Sequence, residues 1–167
     1  DRNKTILIDN GYSDKNFYPS KYHRLNFRKK YKIKVTDIVL GFAGRYTSEK
    51  NINSLLLGFS KTIRNFNNIY LCMVGKDINS SNRELIDYIN EFNIKEKEII
   101  LNEQKNLLKF YNGIDLLLLT SHSESFPNVV AEAMLCSTPV LSSNVGCSKK
   151  IIDDSGFIMK NNDYISI

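Results

Sequence analysis

The sequence is poor in features that would staple, anchor or metallate a chain. Its three cysteines, Cys72, Cys136 and Cys147, are odd in number and share no ligand-type spacing, which argues against a disulfide framework or a cysteine-based zinc site. Cys72 lies in an apolar run and Cys136 follows an apolar helical pattern, so both read as small core residues of a protein from a reducing compartment. No apolar stretch approaches the roughly 18 residues of a membrane span, and no secretory signal is visible. Gly41-x-x-Gly44 falls short of the dinucleotide fingerprint, so a nicotinamide cofactor has no support and no other cofactor is expected. Internal repeats, low-complexity linkers and a second core are all absent. Residues 1–167 therefore read as a single domain, with an opening segment and basic helix over 1–36. The chain opens at Asp1 without Met, and we expect it to be part of a longer protein.

What remains is ordinary for a globular domain. The 167 residues are 42% hydrophobic and 25% charged, and a chain of this length can bury about 70% of its unfolded surface without further support. The formal net charge is +5, and seven of the fourteen residues from Lys21 to Lys34 are basic with none acidic. Arg28, Lys29, Lys30 and Lys32 interleave with Tyr22, Leu25, Phe27 and Tyr31, the look of a helix with one solvated face. The alternative is weak attraction to an anionic membrane surface.

Short apolar runs alternate with helical patterns. Strands are expected at Thr5–Asp9, Ile38–Gly44, Ile69–Gly75, Glu98–Leu101, Asp115–Ser121, Pro139–Ser143 and Gly156–Met159. The runs from Ile38 and from Asp115 are apolar without alternation, as in strands covered on both faces. Helical spacing links Ile52, Leu55, Leu56, Phe59 and Ile63, then Leu85, Ile86, Ile89 and Phe92. Leu107, Leu108 and Tyr111 form a shorter set, and Val129, Val130, Ala133 and Met134 another. The expected fold is α/β, a doubly wound and mainly parallel sheet with helices on both faces. Ligands of such sheets bind beyond the carboxyl ends of the strands.

Two of the loops there carry candidate chemistry. In Gly44-Arg45-Tyr46-Thr47-Ser48-Glu49-Lys50, glycine permits close approach of a ligand to the backbone. Arg45 and Lys50 can meet one phosphate group, the first as a planar fork and the second as a point charge. The same loop could also be merely solvated. In Ser121-His122-Ser123-Glu124-Ser125-Phe126-Pro127-Asn128-Val129, a polar turn precedes a helix with Pro127 expected at its first position. The N–H groups of Asn128, Val129 and Val130 would then form a donor-rich end suited to a diphosphate. Glu132 lies further into that helix, where vicinal ribose hydroxyls could partner it, unless it is exposed or ion-paired. His122 reads as a loop residue. The loop from Asn102 to Asn106 could border a base pocket.

These residues together resemble the retaining glycosyltransferases of family four. Gly44-Arg45 with Lys50-Asn51, Glu124-x7-Glu132 around Phe126-Pro127-Asn128, Ala133-Met134 and Thr138-Pro139-Val140 follow that family's motifs, and Asn10-Gly11 with Phe17 and Pro19 resembles its lead-in segment. The similarity runs from Ile8 to about Asp163. Three positions depart from the pattern: Ser137 and Cys147 stand where the family usually has glycine, and Lys150 where glutamate often follows. The resemblance implies the C-terminal, Rossmann-like half of a GT-B enzyme, with a separate N-terminal domain for the acceptor. It implies a nucleoside-diphosphate sugar as donor, UDP-linked before GDP-linked, and a saccharide or lipid-linked acceptor. Arg45 and Lys50 would stabilise the leaving diphosphate, Glu124 would hold the sugar and Glu132 the ribose. Gly44, Ser125, Phe126, Pro127, Asn128 and Val129 would line the donor site. The sequence contains no Asp-x-Asp, in keeping with a site that uses no metal. The expected setting is cytoplasmic, with contact at the inner membrane face as an addition and no nucleic-acid partner. The alternatives are a non-catalytic nucleotide-sugar-binding module and half of a nucleotide-sugar 2-epimerase.

Overall fold

The computed structural model describes residues 10–160, so the strand expected at Thr5–Asp9 lies outside it. The described order is α1 (Lys21–Lys30), β1 (Ile38–Ala43), α2 (Ile52–Thr62), β2 (Ile69–Val74), α3 (Arg83–Glu91), β3 (Glu98–Ile100), α4 (Leu108–Gly113), β4 (Leu116–Leu119), α5 (Asn128–Leu135), β5 (Val140–Ser142), α6 (Ser148–Ile152) and β6 (Phe157–Ile158). All six strands join one parallel sheet in the order β3-β2-β1-β4-β5-β6. The winding direction reverses at β1, which lies between β2 and β4.

Why the strands lack polar alternation is plain from the packing. Val39 and Ala43 of β1, with Leu117 and Leu119 of β4, join a core with Phe27, Phe110, Tyr111, Val130 and Ile152. Phe42 and Leu118, from the same two strands, join Leu55, Leu56, Phe59, Leu85 and Ile89. Helices α1, α4, α5 and α6 thus cover one face, and α2 and α3 the other. With successive side chains pointing to opposite faces, both sets must be apolar.

Helix starts follow local chemistry. Ser20 caps α1 by accepting from the His23 backbone N–H at 3.2 Å, and Asn82 caps α3 by accepting from Leu85 at 3.2 Å. Such caps satisfy donors that a helix start otherwise leaves unpaired.

Helix α1 departs from the expected solvated basic face. Arg28 is buried at 4% exposure, and its guanidinium donates to Asp115 Oδ2 at 2.5 Å and to the carbonyls of Lys34 and Asp37 at 2.9 and 3.0 Å. Arg24 donates to Asp115 Oδ1 at 2.5 Å and to the Ile114 carbonyl at 3.1 Å. Asp115 Oδ2 also accepts from the Val39 backbone N–H at 2.7 Å. The two arginines pin α1 to the amino-terminal ends of β1 and β4, and the helix rotates accordingly. Phe27 faces the core while Tyr22 and Leu25 face outward. Local spacing alone does not reveal this, because the partner aspartate is about ninety residues away.

The departure at Ser137 also has a backbone reason. Its φ is +57°, the left-handed region that glycine enters at least cost. At Cys147 φ is −92°, so the backbone there makes no such demand.

Candidate functional site

The loops leaving β1 and β4 lie side by side because β1 and β4 are adjacent parallel strands. They are also stitched together. Thr120 Oγ1 donates to the Lys50 carbonyl at 2.8 Å, and the His122 backbone N–H donates to the Glu49 carbonyl at 2.7 Å. This is the carboxyl edge of the sheet at the point of reversal, the usual ligand crevice of the architecture.

On the β1 side, Lys50 ends a short 3-10 turn, Ser48–Lys50, and Asn51 leads into α2 with φ +51°. The Lys50 side chain folds back over Gly44: its Cε and Cδ pass 3.4 and 3.5 Å from the point where a Cβ at residue 44 would stand. Gly44 is held in turn by its backbone N–H, which donates to the Val74 carbonyl at 3.0 Å. A Cβ on Gly75, where φ is +147°, would fall 1.8 Å from the Gly44 oxygen. Glycine at 75 is thus required by this close approach. Arg45 is exposed beside the same turn. Among the nearby groups, Glu49 has its carboxyl held below the usual range by its own backbone amide first, then the Thr47 hydroxyl, with Arg45 adding to this.

On the β4 side, Glu124 Oε1 receives Lys50 Nζ at 2.5 Å and the Ser121 hydroxyl at 2.7 Å. Both side chains of the ion pair are largely buried, at 16% and 15% exposure, so the attraction is far less screened than at the surface. Oε2 of Glu124 accepts no hydrogen bond among the described residues. The sequence-predicted Lys50 and Glu124 are therefore brought into direct contact across the two loops.

Helix α5 begins one residue later than expected. Pro127 occupies the capping position with φ −77° and ψ 89°, and its carbonyl accepts from the Val130 N–H at 3.0 Å. Val130 is thus not one of the available donors. The N–H groups of Asn128 and Val129 find no acceptor among the described residues. Asn128 Oδ1 accepts from Asn10 Nδ2 at 3.0 Å and from the Tyr12 hydroxyl, whose ring stacks on Phe126 at 6.1 Å between centroids. Residues 10–12 thereby pack on the helix start. Ser125 is exposed, Phe126 and Val129 are half-buried and Pro127 is buried.

One turn beyond Asn128, Glu132 does not join the Lys50–Glu124 pair. Its Oε2 accepts from the Tyr111 hydroxyl at 2.7 Å. Tyr111 is fully buried, and burial, followed by the Glu132 charge, raises its phenol well above its ordinary pKa. It is a fixed proton donor to one of the two Glu132 oxygens. Tyr12 is raised chiefly by burial, with the Glu132 charge contributing, which places Tyr12, Asn128 and Glu132 in one neighbourhood.

Sequence reasoning overlooked Ser121, Tyr111 and Tyr12. Ser121 lies three residues before Glu124, a spacing at which a hydroxyl reaches a following carboxylate. Tyr111 reads as a packing residue by its spacing, yet a buried tyrosine requires a partner for its hydroxyl. Nothing local marks Tyr12. Among the described residues, no three or more His, Cys, Asp or Glu side chains gather as metal ligands would.

The chain is similar to known proteins in sequence and in fold. The chain is 27% identical over 160 residues to the capsular polysaccharide biosynthesis glycosyltransferase CapM of Staphylococcus aureus, covering 92% of this chain and 39% of that protein. Its fold matches Anabaena HepE, solved in complex with UDP-glucose, at a TM-score of 0.81 and 20% identity over 93% of this chain and 43% of the other. It also matches the C-terminal domain of the Francisella tularensis group 1 family protein LpcC at a TM-score of 0.78 and 20% identity, over 93% of this chain and 83% of that domain. The chain spans about two fifths of the length of the curated relatives it matches. The family model for glycosyl transferases group 1 matches residues 23–167, and the chain belongs to that family.

Proposed function

We propose that this chain is the donor-binding half of a retaining glycosyltransferase that moves a sugar from a nucleoside diphosphate to a saccharide or lipid-linked acceptor. The observation that carries this reading is the largely buried Lys50–Glu124 pair at the sheet's point of reversal. An ion pair there keeps both charges compensated while no ligand is bound. An incoming diphosphate offers Lys50 a stronger partner and releases Glu124 toward the sugar hydroxyls. Arg45 and Lys50 then stabilise charge that grows on the leaving diphosphate, an interaction stronger in the transition state than in the ground state. The Asn128 and Val129 N–H groups add donors at the start of α5. Glu132, held by Tyr111 through one oxygen, presents the other to the ribose diol. Gly44, Ser125, Phe126 and Pro127 give the site its walls. HepE, similar in fold, was solved with UDP-glucose, which favours a UDP-sugar over a GDP-sugar. Sugar transfer calls for an acceptor-binding half as well, so the 167-residue chain alone should show no turnover with a simple acceptor. We place the protein in the cytoplasm.

Titration calorimetry on the 167-residue chain tests the assignment. UDP and UDP-glucose should bind without added divalent metal. Glu132→Gln should weaken both equally, since both carry the same ribose. Glu124→Gln should weaken UDP-glucose while leaving UDP affinity unchanged or raised, because Lys50 loses its competing carboxylate. A lost hydrogen bond to a charged group costs about 1.5–3 kcal/mol, or roughly tenfold or more in affinity. Equal losses of UDP affinity in the two variants would overturn the roles given to the carboxylates.

A further inference from the structure

We propose that the outward face of α1 is a docking surface for an anionic lipid bilayer. Turning Arg24 and Arg28 inward to Asp115 leaves α1 with its apolar residues on the wrong side for a simple surface helix. Tyr22 is 71% exposed and Leu25 61% exposed, with the His23 ring edge-on to Tyr22 at 5.5 Å between centroids. Tyr18, before the helix, is also exposed and packs on the same His23 ring. On the same helix and its continuation, Lys21, Lys29, Lys30, Lys32 and Lys34 are all exposed. No acidic residue occurs from Lys15 to Thr36, and the five exposed lysines equal in number the chain's net charge of +5. The positive excess of the protein is thus concentrated around two protruding apolar side chains.

That combination fits a membrane interface. Tyrosine and leucine side chains enter the boundary between headgroups and acyl chains, while lysines lay their stems along it and hold their ammonium groups at lipid phosphates. A second copy of this chain fits poorly, because a two-fold interface would set five lysines against five lysines. The face also lies away from the nucleotide site. Arg24 bonds at the amino-terminal end of β4, whereas Lys50 and Glu124 stand beyond the carboxyl ends, so docking leaves the donor crevice open. The inference does not depend on which sugar or nucleotide the site takes.

Vesicle flotation with the 167-residue chain tests it, using mixed phosphatidylglycerol–phosphatidylcholine vesicles against pure phosphatidylcholine. The chain should float with the anionic vesicles and stay behind with the neutral ones. Its partition should collapse in about 0.5 M salt, where screening reaches only a few ångströms. Reversing two lysines, Lys29→Glu with Lys30→Glu, should cut the partition about tenfold or more. Tyr22→Ser with Leu25→Ser should cut it to a similar degree while leaving the salt dependence intact. All four positions are exposed, and an unchanged melting temperature verifies folding. Equal flotation with neutral vesicles, or indifference to the lysine reversals, would overturn the proposal. A dimer abolished by Leu25→Ser in place of vesicle binding would do the same, as would tighter binding to a single-stranded oligonucleotide than to the vesicles.

Discussion

An Asp115→Ala chain should lose about 3–5 kcal/mol of stability, because it leaves the buried Arg28 guanidinium without its counter-charge. Asp115 receives Arg28 and Arg24 at 2.5 Å and the Val39 N–H at 2.7 Å, so one carboxylate satisfies three donors. Without Asp115, Arg28 keeps only the Lys34 and Asp37 carbonyls: its side chain is 5% exposed, and its Nε already lacks a partner among the described residues. For a domain of this size each kcal/mol moves the melting temperature by about 2–4 °C, which predicts a fall on the order of 10 °C. Arg24→Ala sets the contrast. Its side chain is 38% exposed, and an ion pair that wet is typically worth about 1 kcal/mol or less. Thermal melts followed by circular dichroism separate the two cases. Should Asp115→Ala cost no more than Arg24→Ala, the carboxylate is not what makes the buried guanidinium tolerable.

The second large effect is expected at Gly146. Its φ is +51°, and an added Cβ would lie 2.3 Å from the Glu124 carbonyl oxygen and 2.5 Å from that of Ser125. Neither oxygen belongs to a flexible side-chain end, so the turn holding Glu124 must move. The left-handed backbone costs alanine about 1–2 kcal/mol, and overpacking a fitted contact a further 1–3 kcal/mol or so. Gly146→Ala should therefore destabilise the fold by on the order of 3 kcal/mol. It should also weaken UDP-glucose more than UDP, since the moved turn carries the carboxylate assigned to the sugar. Gly146→Asn is the informative companion: asparagine tolerates a positive φ but keeps the Cβ. If Asn restores both stability and the sugar preference, the contact with the Glu124 turn is not what the glycine provides.

The sheet was legible in the sequence because a strand covered on both faces must be apolar throughout. Ile38-Val39-Leu40-Gly41-Phe42-Ala43 and the Leu116–Leu119 run declare themselves that way. Helix α6 was not foreseen, since five residues, Ser148–Ile152, are too few to show a period. Lys50 and Glu124 stand out in the sequence by their loop positions and by their resemblance to the family's motifs. That they neutralise each other does not, because the contact joins residues 74 apart. Likewise nothing in the sequence near Glu132 shows that its first partner is Tyr111, 21 residues upstream on another helix. Long-range pairing also reversed the reading of α1. Local periodicity treats every arginine as a solvent group, and only the half-buried Asp115 turns two of them toward the sheet. At Pro127 the shift of one position is local: a ψ of 89° keeps that residue outside the helix it introduces.

The strand order has a consequence for how the chain is made. β1 pairs on one side with β2, which follows closely, and on the other with β4, about seventy-five residues further along. At synthesis rates of roughly 5–20 residues per second, that second neighbour emerges several seconds after the first. During this interval β1 exposes an unpaired, wholly apolar edge at what becomes the middle of the sheet, the kind of edge on which nascent chains associate. The part beginning at β1 that can close early is β1-α2-β2-α3, whose contacts around Leu55, Phe59, Leu71 and Leu85 are mostly internal to it. The nucleotide crevice cannot exist at that stage, because half of it arrives with β4. A ligand can therefore stabilise the finished domain, but it cannot help the nascent chain through its most exposed moment.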